Sequence, residues 1–126
     1  MGPAVAVVPR AVDPEGRIRT VVGTGKAGPA ADGPALKGTL NGPKFLWVEK
    51  AGTVLIADTD NHCIRRYDPG AGTLTTVAGT GKRGRDPAGG RPTDTALDQP
   101  HGVAVDADGV LYISDSLNHR ILKVAP

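Results

Sequence analysis

Aromatic residues are almost missing from this chain of 126 residues, which has one Trp, one Phe and two Tyr. Any core must therefore be packed from Val, Ile, Leu and Ala. Cysteine is nearly absent as well. The single Cys63 excludes an intramolecular disulfide framework and a cysteine-ligated zinc site. Long apolar runs are lacking, so no segment has the length of a membrane-spanning helix. The N-terminus MGPAVAVVPR is apolar but is interrupted by Pro3 and Pro9. It has neither a basic leading region nor a clear cleavage site and does not read as a signal peptide. A strong excess of one charge is missing too: the net charge is +2, which does not by itself call for a nucleic-acid partner. Together these absences favour a cytoplasmic protein with no membrane contact.

What is abundant is turn punctuation, with 18 Gly and 11 Pro spaced between short apolar runs. That spacing is periodic. Residues 43–69, PKFLWVEKAGTVLIADTDNHCIRRYDP, align without a gap to residues 100–126, PHGVAVDADGVLYISDSLNHRILKVAP, at an offset of 57. Matched pairs include Val48/Val105, Gly52/Gly109, Asp58/Asp115, Asn61/Asn118 and His62/His119. A period of this kind marks a repeat architecture.

Each copy predicts three short strands with tight turns between them: Phe45–Val48, Val54–Ala57 and Cys63–Tyr67, then Val103–Val105, Val110–Ser114 and Arg120–Val124. A fourth strand follows the first copy at Thr73–Ala78. The unit is thus a four-stranded antiparallel meander. The stretch DPEGRIRTVVGTGK (13–26) also matches DPGAGTLTTVAGTGK (68–82) with one residue deleted. The chain therefore opens with the tail of a repeat, a third strand over Val5–Val12 and a fourth over Arg17–Val22. The organisation expected is a partial unit over 1–25, a full unit with a long leading loop over 26–81, and a unit without its own fourth strand over 82–126. The Gly/Pro-rich loops 26–43 and 82–100 leave room only for a short helical turn, at Ala35-Leu36 or at Thr95–Leu97. Leu40 and Leu97 align and are expected to pack beneath the first strand of each copy.

The segment GVAVDADGVLYISDSLNHRILKV (102–124) closely resembles an NHL repeat, a β-propeller blade named for an Asn-His-Leu signature. VAGTGKRG (77–84) with its Gly-rich continuation is similar to the linker of one NHL subgroup. The resemblance covers residues 13–126. It implies an all-β propeller, usually of six blades, in which the innermost strand of each four-stranded blade lines a central channel. The first copy departs from the pattern at Phe45 and Trp47, where the second has Gly102 and Ala104. Two blades are too few to close a ring that needs about four to eight. A lone pair would leave two apolar faces and several strand edges bare. Three chains of two blades would make six, so the expected state is a homotrimer, with the N-terminal fourth strand free to complete the blade that ends at Val124.

Several residue sets carry chemistry. Asp58, Asn61 and His62, repeated as Asp115, Asn118 and His119, are read as blade-building turn residues, because short polar side chains bond the backbone of tight turns. Arg120 is expected to pair with Asp115, whereas Cys63 at the aligned place leaves Asp58 without that partner. Arg65 and Arg66 are placed on the blade exterior. His101, aligned with Lys44, stands at the mouth of the first strand. NHL-type amidating lyases use histidines near such places for metal, so these two are the rim candidates for a ligand or divalent cation, although three lysines beside three histidines would oppose one. Lys82, Arg83, Arg85 and Arg91 form a basic loop that phosphate contacts could use, but no aromatics are interleaved with it. GTGKAG (23–28) and GTGKRG (79–84) lack the spacing of a phosphate loop, and Ser114 and Ser116 lack the context of a hydrolase nucleophile. The expected function is a non-catalytic binding or scaffold module without a cofactor, whose main partner is itself. The alternatives are a metal-dependent lyase or lactonase-like enzyme at the channel mouth and an RNA-binding propeller face.

Overall fold

The computed structural model of the chain describes residues 14–126. Its strands are β1 (Gly33–Pro34), β2 (Phe45–Val48), β3 (Val54–Asp58), β4 (Cys63–Asp68), β5 (Thr73–Ala78), β6 (Gly102–Val105), β7 (Leu111–Asp115) and β8 (Arg120–Val124). They form two antiparallel sheets, ordered β1-β5-β4-β3-β2 and β6-β7-β8. Short 3-10 turns occur at Ala35–Lys37, Thr59–Asn61, Pro92–Asp94 and Ser116–Asn118. No α-helix occurs among the described residues, so none there is long and apolar enough to cross a membrane.

The same local chemistry builds both sheets. The first hairpin closes with Glu49 N–H donating to Thr53 O at 2.8 Å and Gly52 N–H to Glu49 O at 2.9 Å. The second repeats this with Asp106, Val110 and Gly109 at 3.0 and 3.1 Å. Gly52 and Gly109 take φ of +99° and +85°, a conformation that glycine adopts without a steric penalty.

Strand alternation sends one side of the first sheet towards the second. Leu55, Ala57, Ile64 and Ala78 form one buried cluster with Leu97, Val103, Leu111 and Ile113, so the two sheets pack face to face. The other side of the first sheet carries a second cluster, Ala35, Ile56 and Leu74, with Val22, Leu40, Val54 and Tyr67 partly buried against it.

The seven strands expected from the two copies and the intervening fourth strand are present within a residue of their expected bounds. Three details differ. The two-residue β1 pairs with β5 and was not expected, because Gly-Pro carries no strand signal. The second helical turn falls at Pro92–Asp94, where proline starts it, and not at Thr95–Leu97. Over 17–22 only Ile18 lies in a bridge, so no full strand forms there. The strand expected over Val5–Val12 lies outside the described residues. Leu97 is fully buried, while Leu40 is only partly covered.

Candidate functional site

A carboxylate at the end of the second strand of each sheet organises its surroundings. Asp115 Oδ2 accepts from Asn118 Nδ2 at 3.0 Å and Arg120 Nε at 2.8 Å, and its Oδ1 accepts from the Asp98 N–H at 2.8 Å. Asn118 Nδ2 also donates to Gly84 O, and Arg120 Nη1 to Asp86 O. The loop that precedes the sheet is thus tied down along its length. In the first sheet Asp58 accepts from Asn41 N–H at 2.7 Å and Asn61 Nδ2 at 2.9 Å, and Asn61 donates to Gly28 O.

Two expectations fail here. Asp58 has an arginine after all: Arg65 Nη1 lies 3.0 Å from its Oδ2, and neither side chain has any exposed surface. Arg65 therefore does not lie on the exterior. It shares the face of Cys63 because residues two apart on a strand point the same way. Its guanidinium also donates to Thr39 O and Ala31 O, as Arg120 does to Asp86 O and Ala96 O. A register shift between Ile64 and Arg65 bends β4 at this place. Arg66, on the other face, is half-buried and forks onto Glu49 at 2.8 and 3.1 Å.

His62 and His119 follow the 3-10 turns with φ of +54° and +55°. His62 Nδ1 accepts from the Gln99 N–H at 3.0 Å, joining the first sheet to the loop that leads into the second. His119 is exposed. Gly79 packs against this corner with φ of +91°, and a Cβ there would stand 2.4 Å from His62 O.

The rim candidates are exposed. His101 Nδ1 meets Gln99 O at 2.7 Å, and Lys44 contributes its N–H to Ala57 O at 3.1 Å. Among the described residues no three His, Cys, Asp or Glu side chains gather into a cation-holding group. In the basic loop, Arg83 pairs with Asp98 at 3.1 Å and Arg91 lies 3.9 Å from Asp94. Lys82 and Arg85 are exposed. Acidic neighbours thus offset part of this positive surface.

An apolar hollow of about 460 Å³ lies on the outer side of the first sheet, bordered by Val22, Leu40, Leu46, Val48, Ile56 and Tyr67. Shifting those positions by the 57-residue repeat gives a telling set. Leu40, Leu46, Val48, Ile56 and Tyr67 become Leu97, Val103, Val105, Ile113 and Val124, which belong to or pack against the cluster between the sheets. The second sheet has that side covered by the first sheet; the first sheet has the same side open. Conversely, Ile64 is completely buried by the second sheet, while the aligned Ile121 is 68% exposed.

The family model for the NHL repeat matches residues 91–124. Those residues are an NHL repeat. NHL repeat-containing protein 2 of Bos taurus is 34% identical over 92 residues, 71% of this chain and 12% of that protein. Protein SUPPRESSOR OF QUENCHING 1, chloroplastic, of Arabidopsis thaliana is 32% identical over 91 residues, 71% of this chain and 8% of that protein. The chain thus spans about an eighth or less of these relatives. Among solved structures, a structural genomics protein of unknown function from Bacteroides thetaiotaomicron superposes with a TM-score of 0.77 at 23% identity, over 90% of this chain and 28% of that one. An auxiliary nutrient binding protein from Bacteroides ovatus gives 0.65 at 28% identity, over 80% and 26%.

The second sheet, β6–β8, is therefore the matched NHL blade, and the first sheet repeats its strand order and turn residues, with β5 and the added β1 beside them. The sequence reading missed two working residues of these blades. Arg65 was legible from strand parity alone. Glu49, which fastens the first hairpin to β4, had no marker beyond its place opposite an arginine.

Proposed function

We propose that the chain is a non-catalytic binding and scaffold module whose NHL-type blades associate with those of further copies to close a propeller, three chains supplying six blades. The observation that carries this reading is the open side of the first blade, where Leu40, Leu46, Val48, Ile56 and Tyr67 align with residues that the second blade packs against the first. An exposed apolar face of this extent favours association, because covering it removes that surface from water. The name of the Bacteroides ovatus relative, an auxiliary nutrient binding protein, supports a binding role for the assembled face. Sedimentation velocity over a range of concentrations tests the proposal. A species of three chains is expected, and a monodisperse single chain at high concentration would refute it.

A further inference from the structure

We propose that His62 is a proton-operated latch between the two blades. Neutral, it holds the backbone of Gln99; protonated, it releases that backbone, turns to the Asp98 carboxylate and frees the rim around His101. The device lies between two blades of one chain and does not depend on the association of copies.

Two hydrogen bonds fix which histidine can switch. The Gln99 N–H donates to His62 Nδ1 at 3.0 Å. A backbone N–H only donates, so this nitrogen is bare and the neutral His62 ring carries its proton on Nε2. The Gln99 carbonyl meets His101 Nδ1 at 2.7 Å. A carbonyl only accepts, so His101 carries its proton on Nδ1. Gln99 is thus held by two imidazoles, one from each blade. Protonating His101 adds a proton at Nε2 and leaves its bond to Gln99 O intact. Protonating His62 adds a proton from solvent at Nδ1, and the bond from the Gln99 N–H is lost.

Both ends of the switch are prepared. Gln99 takes φ of +47°, where the aligned residue of the first blade is Gly42 at +60°. A residue with a Cβ adopts this conformation at a steric cost, and such strain persists only where the surroundings impose it. The bond to His62 is one of those constraints, so losing it lets the 98–99 peptide turn. On the other side, Asp98 Oδ1 is buried and has no hydrogen-bond partner among the described residues, although it lies 3.7 Å from His62 Nδ1. A buried acceptor without a donor is costly. The proton that His62 gains supplies a donor on the nitrogen 3.7 Å away. The two side chains are 15% and 14% exposed, so solvent and salt screen their attraction little.

The other charged groups nearby are committed elsewhere. On the turn that carries His62, Asp58 is paired with Arg65, and Asp60 lies over Gly42, where an added Cβ would stand 2.6 Å from Asp60 Oδ2. Cys63 is neutral, because burial pushes its thiol up to about 12, assisted by the Asp58 charge. Gly79, packed on the His62 carbonyl, brings no side chain. In the loop before β6, Arg83 engages Asp98 through Oδ2 and is 68% exposed, which leaves Oδ1 for His62. Asp115 accepts the Asp98 N–H and is paired with Arg120. His101 rests on the Gln99 carbonyl, so it moves when the 98–99 peptide turns.

Nuclear magnetic resonance of the full chain tests the latch between about pH 8 and 5, the range in which histidine changes charge. At the upper end the His62 ring is expected to show a bare Nδ1, and the Gln99 amide to exchange slowly with solvent. On acidification the Gln99 amide resonance should move with the same midpoint as the His62 ring nitrogens. Its exchange, corrected for the intrinsic effect of pH, should accelerate at least tenfold as the segment opens. His62→Asn keeps a residue that tolerates the left-handed backbone and should abolish this transition. Asp98→Asn removes the receiving charge, so the transition should move to lower pH. A Gln99 amide that stays protected while His62 takes up its proton would overturn the latch, and the parent chain alone decides this should His62→Asn not fold. A transition that survives in His62→Asn would overturn it as well. A midpoint unchanged in Asp98→Asn would overturn the turn towards Asp98.

Discussion

Arg65 performs in the first blade the task that Arg120 performs in the second, from a position two residues further along the strand. Both guanidiniums bond the blade's aspartate and carbonyls of the preceding loop. Moving an arginine by two keeps it on the same face. The pair Asp58–Arg65 is fully buried, so removing one partner strands a charge, and breaking such pairs costs about 3–5 kcal/mol. Arg65→Leu is expected to destabilise the protein by that order in urea unfolding. The double variant Cys63→Arg with Arg65→Leu rebuilds the arrangement of the second blade and should recover most of the loss. A double variant no more stable than the single one would show that the two arginines are not equivalents.

At the scale of the element, Glu49 ties the β2–β3 hairpin to β4. Burial raises its carboxyl pKa, but hydrogen bonds from Arg66 and Thr53 and the charge of Arg66 outweigh that effect and hold it below its ordinary value of 4.5. A carboxyl held low stabilises the fold above that ordinary value and loses its contribution as pH falls through the lower folded value. Arg66 is 37% exposed, so solvent screening keeps the effect below about 1 kcal/mol. Glu49→Gln should lower the melting temperature slightly at neutral pH, and the gap to the parent protein should close as pH drops below 4.5. A gap unchanged at low pH would show that the charge is not what fastens the hairpin.

The elements differ in how far the sequence foretold them. β2 to β8 were legible because short apolar runs sit between turn residues, and because the alignment of two copies restricts where strands fall. Thr59–Asn61 and Ser116–Asn118 were legible as turns for the same reason. β1 was not, since Gly33 and Pro34 extend only because β5 lies beside them. The buried Asp58–Arg65 pair was hidden by comparing aligned columns one at a time: the partner had moved along the strand while the face stayed the same. The open side of the first blade could be inferred from the count of blades, but which residues line it emerged only once the second blade showed their equivalents packed.

Across the whole molecule, the interface inside the chain supplies a template for the proposed interface between chains. The second blade presents Tyr112 and Ile121 on its outer side, both exposed, at the positions where the first blade buries Leu55 and Ile64. The contact expected is heterologous, joining the outer side of a second blade to the open side of a first blade, and such contacts either close into a ring or run on as a filament. Ring closure fixes the number of chains, which distinguishes it from non-specific sticking of an apolar patch. Ile121→Glu separates these cases. On a surface that stays in water, the substitution is expected to change stability by no more than about 0.5 kcal/mol. At a covered interface it buries an unpaired carboxylate, so the association constant should fall by at least tenfold while far-ultraviolet circular dichroism is unchanged. Sedimentation of Ile121→Glu beside the parent chain reads both outcomes. An unaltered distribution of species would place the contact elsewhere on the blades, and a loss of the folded signal would show that the exposed isoleucine supports the blade itself.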